Sequence, residues 1–264
     1  MAYNAAAAGI IIIPPYCFFS VIGAGFAATA FILLLMKYDC DIRRYARAFL
    51  YSGIGLLFGA KAFGCFAGLY NALANDKAPS IDAFLDAGIV YYGGLFGFII
   101  SFMLLCEKWD GKIDWMIMDM LSACIPLFHV FGRLGCFFGG CCYGIESESR
   151  FAMLYTPHAD YGIGAAVRFP VQLAEAAGNA VLFALLCGLL KAEKLRGQLL
   201  WVYLILYGAM RFVLEFWRGD AVRGVWNGIS FSQVVGMAVI VFATARIYKA
   251  YKPAKRFKLP RLDA

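Results

Sequence analysis

The chain has 264 residues, of which 62% are hydrophobic and 16% charged. Soluble domains carry about 25% charged and about 45–50% apolar residues, so a soluble globular or disordered chain is excluded. The formal charge of +7 sits mostly in short segments between apolar runs, which fits membrane topology and attraction to anionic lipid; nucleic-acid binding explains it poorly.

In chain order, apolar runs fall at 17–36, 48–70, 88–106, 115–138, 171–190, 198–216 and 229–248. Each is long enough to cross a hydrocarbon core of ~30 Å. They predict an all-α polytopic membrane protein of about seven transmembrane helices, with residues 1–264 forming a single domain. The first fifteen residues lack a basic stretch and a clear cleavage site, so no removable signal peptide is expected.

Basic residues then orient the bundle. Lys37, Arg43, Arg44 and Arg47 follow the first run, Lys108 and Lys112 the third, and Lys191, Lys194 and Arg196 the fifth. Arg246, Lys249, Lys252, Lys255, Arg256, Lys258 and Arg261 end the chain, which makes sixteen on one side. The alternate loops hold five: Lys77, Arg150, Arg168, Arg218 and Arg223. The N-terminus is therefore expected outside and the C-terminus in the cytoplasm.

Three basic residues, Lys61, Arg133 and Arg211, fall inside the runs and need partners. Asp119 and His129 precede Arg133 in the fourth run, His129 by one helical turn. Tyr207, Arg211 and Glu215 recur at i+4 in the sixth, and Gln172 and Glu175 open the fifth. Such residues either form ion pairs that hold helices together or line one polar cavity.

The fourth run ends in Phe131-Gly-Arg-Leu-Gly-Cys-Phe-Phe-Gly-Gly-Cys-Cys-Tyr-Gly144. Dense glycine weakens a helix and lets backbone N–H groups converge on an anion, and the arginine adds charge. Together they suggest a grip on a lipid phosphate. Gly135 and Gly139 also have the small-xxx-small spacing of a helix-packing seam. Of nine cysteines, Cys17, Cys40, Cys65, Cys106, Cys124 and Cys187 are scattered and read as small core residues. Cys136, Cys141 and Cys142 form a cluster whose spacing is not a standard zinc pattern, and the chain has only two histidines, so no metal is expected. At the outer end of the run, Cys136 could pair with Cys141 or Cys142 in a disulfide, pack passively, or carry chemistry.

These segments resemble the prolipoprotein diacylglyceryl transferases. That family's pattern is roughly H-G-G-L in the third span and G-R-L-G-N-F-I-N-G-E-x-x-G ending the fourth. R-H-P-x-Q-L-Y-E and Y-G-x-x-R-x-x-x-E-F-x-R follow. Here the corresponding stretches are Tyr92-Gly-Gly-Leu95, Gly132-Arg-Leu-Gly135 through Gly144, Arg168-Phe-Pro-Val-Gln-Leu-Ala-Glu175, and Tyr207-Gly-Ala-Met-Arg-Phe-Val-Leu-Glu-Phe-Trp-Arg218. Asp119, Pro126, Phe151-Ala-Met-Leu-Tyr155 and Ile229-Ser-Phe-Ser-Gln233 extend the likeness, and Gly59-Ala-Lys61 stands where the family has G-G-R.

The resemblance implies a multi-pass protein of the bacterial inner membrane, with a small extracytoplasmic head insertion at about 145–170. It implies transfer of a diacylglyceryl group from phosphatidylglycerol to the thiol of a lipobox cysteine in a preprotein, with glycerol phosphate released and no cofactor. Arg133 and Arg211 would serve the phosphate. Gly93, Gly94, Gly132, Gly135, Gly140, Gly144, Gln172, Glu175, Tyr207 and Glu215 would line the lipid site, with Cys136 where the family has asparagine. Tyr92 stands at the family's histidine, Gly139 at its second asparagine and Cys141 at its glutamate. A tyrosine with pKa ~10 is a poor base at neutral pH. His129, Cys141 and Cys142 are thus further catalytic candidates. Two functions stay open: a transferase, on phosphatidylglycerol or another lipid and acceptor, and a non-enzymatic phospholipid or small-anion binder or translocator.

Overall fold

The computed structural model describes residues 14–74, 91–155, 165–219, 225–226 and 229–251. Residues 1–13, the start of the run expected at 88–106, the middle of segment 145–170, Lys77, Arg223 and the basic tail from Lys252 lie outside the described residues.

Seven described helices are long and apolar enough to cross a membrane. They are α1 (Pro15–Lys37), α2 (Ile42–Ala74), α3 (Tyr91–Asp110), α4 (Trp115–Phe138), α5 (Val171–Lys191), α6 (Leu199–Leu214) and α7 (Phe231–Tyr251). Pro15 opens α1 at a position where proline's missing N–H costs nothing. Asp114 caps α4 by accepting from the Met116 N–H at 2.9 Å.

Two boundaries differ from expectation. The second helix begins at Ile42 rather than 48, because the Asp41 carboxylate accepts from the Arg44 N–H at 3.0 Å and caps it there. Arg43, Arg44 and Arg47 therefore ride on its first turns, and Arg44 pairs with Asp110 of α3 at 2.6 Å. At the other end of the chain, Ile229 and Ser230 form a short strand, and the helix starts only at Phe231.

Helix α4 is central: it packs against α1 on one side and α5 on another, and it also meets α6. Its buried residues include Ile117, Met120 and Leu121, which join Phe31, Phe102, Leu186 and Tyr203 in one core. Helices α2 and α3 pair closely, as do α6 and α7. A glycine seam allows the first of these pairings. A Cβ on Gly59 would collide with the Gly93 carbonyl, one on Gly93 with the Gly59 carbonyl, and one on Gly97 with the Gly55 carbonyl.

Outside the helices, β1 (Met153–Tyr155) and β2 (Ala166–Arg168) pair antiparallel, with Leu154 opposite Val167. The loop after α4 joins this hairpin through a bridge from Glu146 to Arg168, and a second bridge, from Gly144 to Arg218, ties it to the end of α6. Gly144 has no room for a side chain there, since a Cβ would strike the Phe169 carbonyl and lie 3.0 Å from that of Trp217.

Candidate active site

Three helices bring polar side chains together at the end of α4 that carries the glycine-rich turn. Helix α4 supplies His129 and Arg133 one turn apart, and α5 opens on Gln172 and Glu175. Tyr207 and Arg211 come from α6, and Glu215 from a 3-10 turn that ends it. All seven are buried.

Glu175 is the hub. Its Oε1 lies 2.9 Å from Arg133 Nη2 and 3.8 Å from His129 Nε2. It also accepts from the Tyr207 hydroxyl at 3.4 Å. Arg211 pairs with Glu215 at 2.7 Å and donates to Ser232 of α7 at 3.5 Å. Tyr92 of α3 joins the cluster, its ring centroid 5.8 Å from that of Tyr207, which also stands 4.9 Å from the His129 ring.

Arg218, read from sequence as a loop residue, is also buried and within electrostatic reach of Glu175 and Cys142. Its signal was its place at the end of the Tyr207 to Arg218 motif. Three buried arginines thus face two buried carboxylates, Glu175 and Glu215. Among the described residues, the buried Nε–H of Arg133 finds no acceptor. A desolvated guanidinium N–H of this kind is costly unless a ligand oxygen meets it.

The glycine-rich turn holds the cysteines. Gln172 donates from Nε2 to the Cys141 carbonyl at 2.7 Å and accepts from the Tyr155 hydroxyl at 2.8 Å, so α5 and β1 anchor the loop. Burial raises the Tyr155 pKa, although that hydrogen bond lowers it. All nine cysteines are free, so the disulfide from Cys136, one of three readings of the cluster, is not formed. Instead the backbone of Cys142 turns left-handed, with φ 56°, and three sulfurs converge within 4.8 Å of one another. Hydrogen bonds from Cys136 and Cys141 hold the Cys142 thiol well below its usual pKa against the effect of burial, with Arg218 and Arg133 adding to the shift.

The glycines serve packing and turns. The N–H of Gly140 is spent on the Phe137 carbonyl at 3.2 Å, and Gly135 sits within α4, so neither leaves a backbone donor open for an anion. A Cβ on Gly135 would lie 3.0 Å from the Tyr16 Cα of α1, so Gly135 packs in a helix seam, whereas one on Gly139 would meet only the Gly135 and Cys136 carbonyls of α4. Gly93 lies in the α2–α3 seam, Gly94 packs toward Leu56 and Ala60, and Gly132 has open space around it. Lys61 lies on an exposed face of α2 rather than in the polar cluster. Asp119 does not pair with Arg133. It accepts from the backbone N–H groups of Gly197 and Leu199, the latter at 2.9 Å, and fixes the turn into α6. Fourteen residues along a helix place it about 20 Å from Arg133.

Residues 5–249 match the family described as prolipoprotein diacylglyceryl transferase. The chain belongs to that family. A phosphatidylglycerol–prolipoprotein diacylglyceryl transferase of Clostridium tetani is 34% identical over 194 residues, which covers 71% of this chain and 73% of that relative. One of the same name from Wolinella succinogenes is 36% identical over 157 residues, 58% of this chain and 54% of its own length. A third, from Campylobacter hominis, is 29% identical over 187 residues, 70% and 62% respectively. This family member is accordingly a transferase and a multi-pass membrane protein.

Two cavities flank α4. One, of about 280 Å³, is apolar and lies among α1 to α4, with Tyr16, Ala27, Phe49, Phe98 and Phe128 in its wall. It reaches the cluster at Tyr16, which is within electrostatic reach of Arg133 and Cys136. The other, of about 500 Å³, is lined by Tyr38, Asp114, Asp119 and Arg246 at the opposite end of α4, away from the cluster.

Proposed function

We propose that this transferase moves the diacylglyceryl group of phosphatidylglycerol to a lipobox cysteine of a preprotein. It does so in the bacterial inner membrane, with its N-terminus outside and segment 145–170 as an extracytoplasmic head. The single observation that carries the phosphate site is the buried, unmet Nε–H of Arg133. Arg133 is held by Glu175 at 2.9 Å, and Arg211 and Arg218 stand nearby. A phosphate oxygen placed at Arg133 would gain charge as the glyceryl C–O bond breaks, and fixed cations stabilise such charge most where water is excluded. The acceptor sulfur forms the new bond to the glyceryl carbon, the phosphate oxygen takes the electron pair, and glycerol phosphate leaves. His129, 3.8 Å from Glu175, is the candidate to receive the thiol proton. The apolar cavity among α1 to α4 suits an acyl chain, because its wall asks for no hydrogen bonds.

A second reading rests on Tyr92 and Cys141, which stand where the resemblance places a histidine and a glutamate. Such a site would bind phospholipid without turnover. Purified protein with labelled phosphatidylglycerol and a lipobox peptide separates the two. Glycerol phosphate release with an equimolar gain of one diacylglyceryl group on the peptide is expected. Lipid binding with neither product would replace the transfer reading by the second.

A further inference from the structure

The three clustered cysteines do more than fill space. Their sulfurs lie within 4.8 Å of one another, although Cys136 sits in the last turn of α4 and the other two follow a glycine pair. Zinc binds thiolates at about 2.3 Å, so a tetrahedral site sets its sulfurs about 3.8 Å apart. At its widest the cluster has to close by only about 1 Å.

The loop is pinned on both flanks for such a role. Gln172 holds the Cys141 carbonyl at 2.7 Å, and Gly219 donates to the Tyr143 carbonyl at 3.0 Å. Between these anchors Cys142 takes φ 56°, a left-handed conformation that residues other than glycine adopt uncommonly. A chain with glycines at 139, 140 and 144 nonetheless spends a cysteine there. The effect is to face its sulfur toward the other two. Strain of this sort persists where surrounding contacts over-determine it, and it clusters at functional sites.

We propose that Cys136, Cys141 and Cys142 bind one zinc ion. Resting on the transferase reading, we further infer that the fourth position of this zinc takes the thiol of the acceptor cysteine. Three thiolates around a dication leave one net negative charge, and Arg218 and Arg133 are within electrostatic reach of Cys142 to offset it. Cys136 is buried while Cys141 and Cys142 are half-buried, so one side of the cluster stays open. Three protein ligands with an open fourth position is the arrangement of catalytic rather than structural zinc. A thiol that enters the coordination sphere would give up its proton, for which His129 is the candidate acceptor. The metal would thereby supply the thiolate that Tyr92 is too weak a base to make. The sequence alone did not point here, because the spacing from Cys136 to Cys141 and Cys142 matches no common zinc pattern; the sulfur geometry does.

Cobalt(II) reports the site directly. The full chain, purified in detergent under reducing conditions and stripped by chelator, is titrated with cobalt and then displaced with zinc. One equivalent of cobalt with visible absorption of a tetrahedral thiolate site is expected. Cys141→Ser should weaken binding at least about ten-fold, and replacing all three cysteines by serine should abolish it. Less than a tenth of an equivalent on the wild-type chain overturns the zinc site, whatever the variants do. Tetrahedral binding that survives the triple replacement, in protein with an unchanged melt, also overturns it. A lipobox peptide should shift the cobalt spectrum, and its serine analogue should not. If neither peptide shifts it while transfer proceeds, the acceptor role falls and the zinc site stands. If cobalt binds as expected and no transfer occurs, the transferase reading fails alone.

Discussion

Glu175 is buried among Arg133, His129 and Tyr207, and it forms a buried ion pair with Arg133, so removing either one strands the charge of the other. Removing one member of a buried ion pair costs about 3–5 kcal/mol, whereas removing both can be nearly neutral. Arg133→Ala is therefore expected to lower stability by about 3 kcal/mol and transfer by at least about 100-fold. Arg133→Ala with Glu175→Ala should recover most of the stability and none of the activity, as read by thermal melts and peptide mass shift on the same preparations. Full activity in that double variant would show that Arg133 only holds helices together. Arg133→Lys keeps the charge for Glu175 but loses the planar fork. It should melt close to wild type and turn over poorly, and normal turnover would remove the phosphate role. Arg211 offers a parallel case, since Glu215 lies 2.7 Å away on the same stripe. Arg211→Lys should spare stability more than transfer.

At the scale of elements, α2 and α3 approach each other through Gly55, Gly59, Gly93 and Gly97, and Tyr92 sits beside that seam. A side chain at Gly59 would push α3 and Tyr92 away from Tyr207. Gly59→Val should cost about 1–3 kcal/mol, whereas Gly25→Ala, with nothing within 4 Å of the new Cβ, should be neutral or stabilising by up to about 1 kcal/mol. Equal melts for both variants would refute the seam. The elements themselves were largely legible, because an apolar run sized to a bilayer has few other readings. Hydropathy missed Arg43, Arg44 and Arg47 on the first turns of α2, since charges beyond the apolar zone look like loop. Within the site, the stripes of His129 with Arg133 and of Tyr207, Arg211 and Glu215 follow from local helical period. The meeting of Arg133 with Glu175 does not, because it depends on how α4 packs against α5. Asp119 illustrates the same limit: it shares a helix with Arg133 yet caps the turn into α6 at the far end. Convergence of the three sulfurs required the left-handed turn at Cys142, which no spacing rule encodes.

For the whole molecule, the basic residues predict an orientation that the helices alone leave open. Sixteen of them follow the first, third, fifth and seventh apolar runs, and five occupy the alternate loops. The described structure keeps this segregation where it can be checked. Arg44 sits at the α2–α3 end of the bundle, paired with Asp110, and Arg196 and Arg246 lie about the cavity beside Asp119. The arginine cluster and the cysteines lie at the other end of α4, with the β1–β2 hairpin beside them. Because lysine and arginine are retained on the cytoplasmic side during insertion, that second end should face outward, where a preprotein emerges and where phosphatidylglycerol of the outer leaflet is at hand. A reporter fused after Ala264 is expected to be cytoplasmic, and one inserted near Asp160 external. A membrane-impermeant thiol reagent gives an independent reading in intact spheroplasts. After zinc is stripped by chelator, it should reach Cys141 or Cys142, half-buried at the end expected to face outward, and should spare Cys40, which lies at the turn between α1 and α2 and is expected in the cytoplasm. Labelling of Cys40 with protection of both others, together with reversed reporters, would invert the bundle. The donor site would then face the cytoplasm, and a preprotein could meet it only before export.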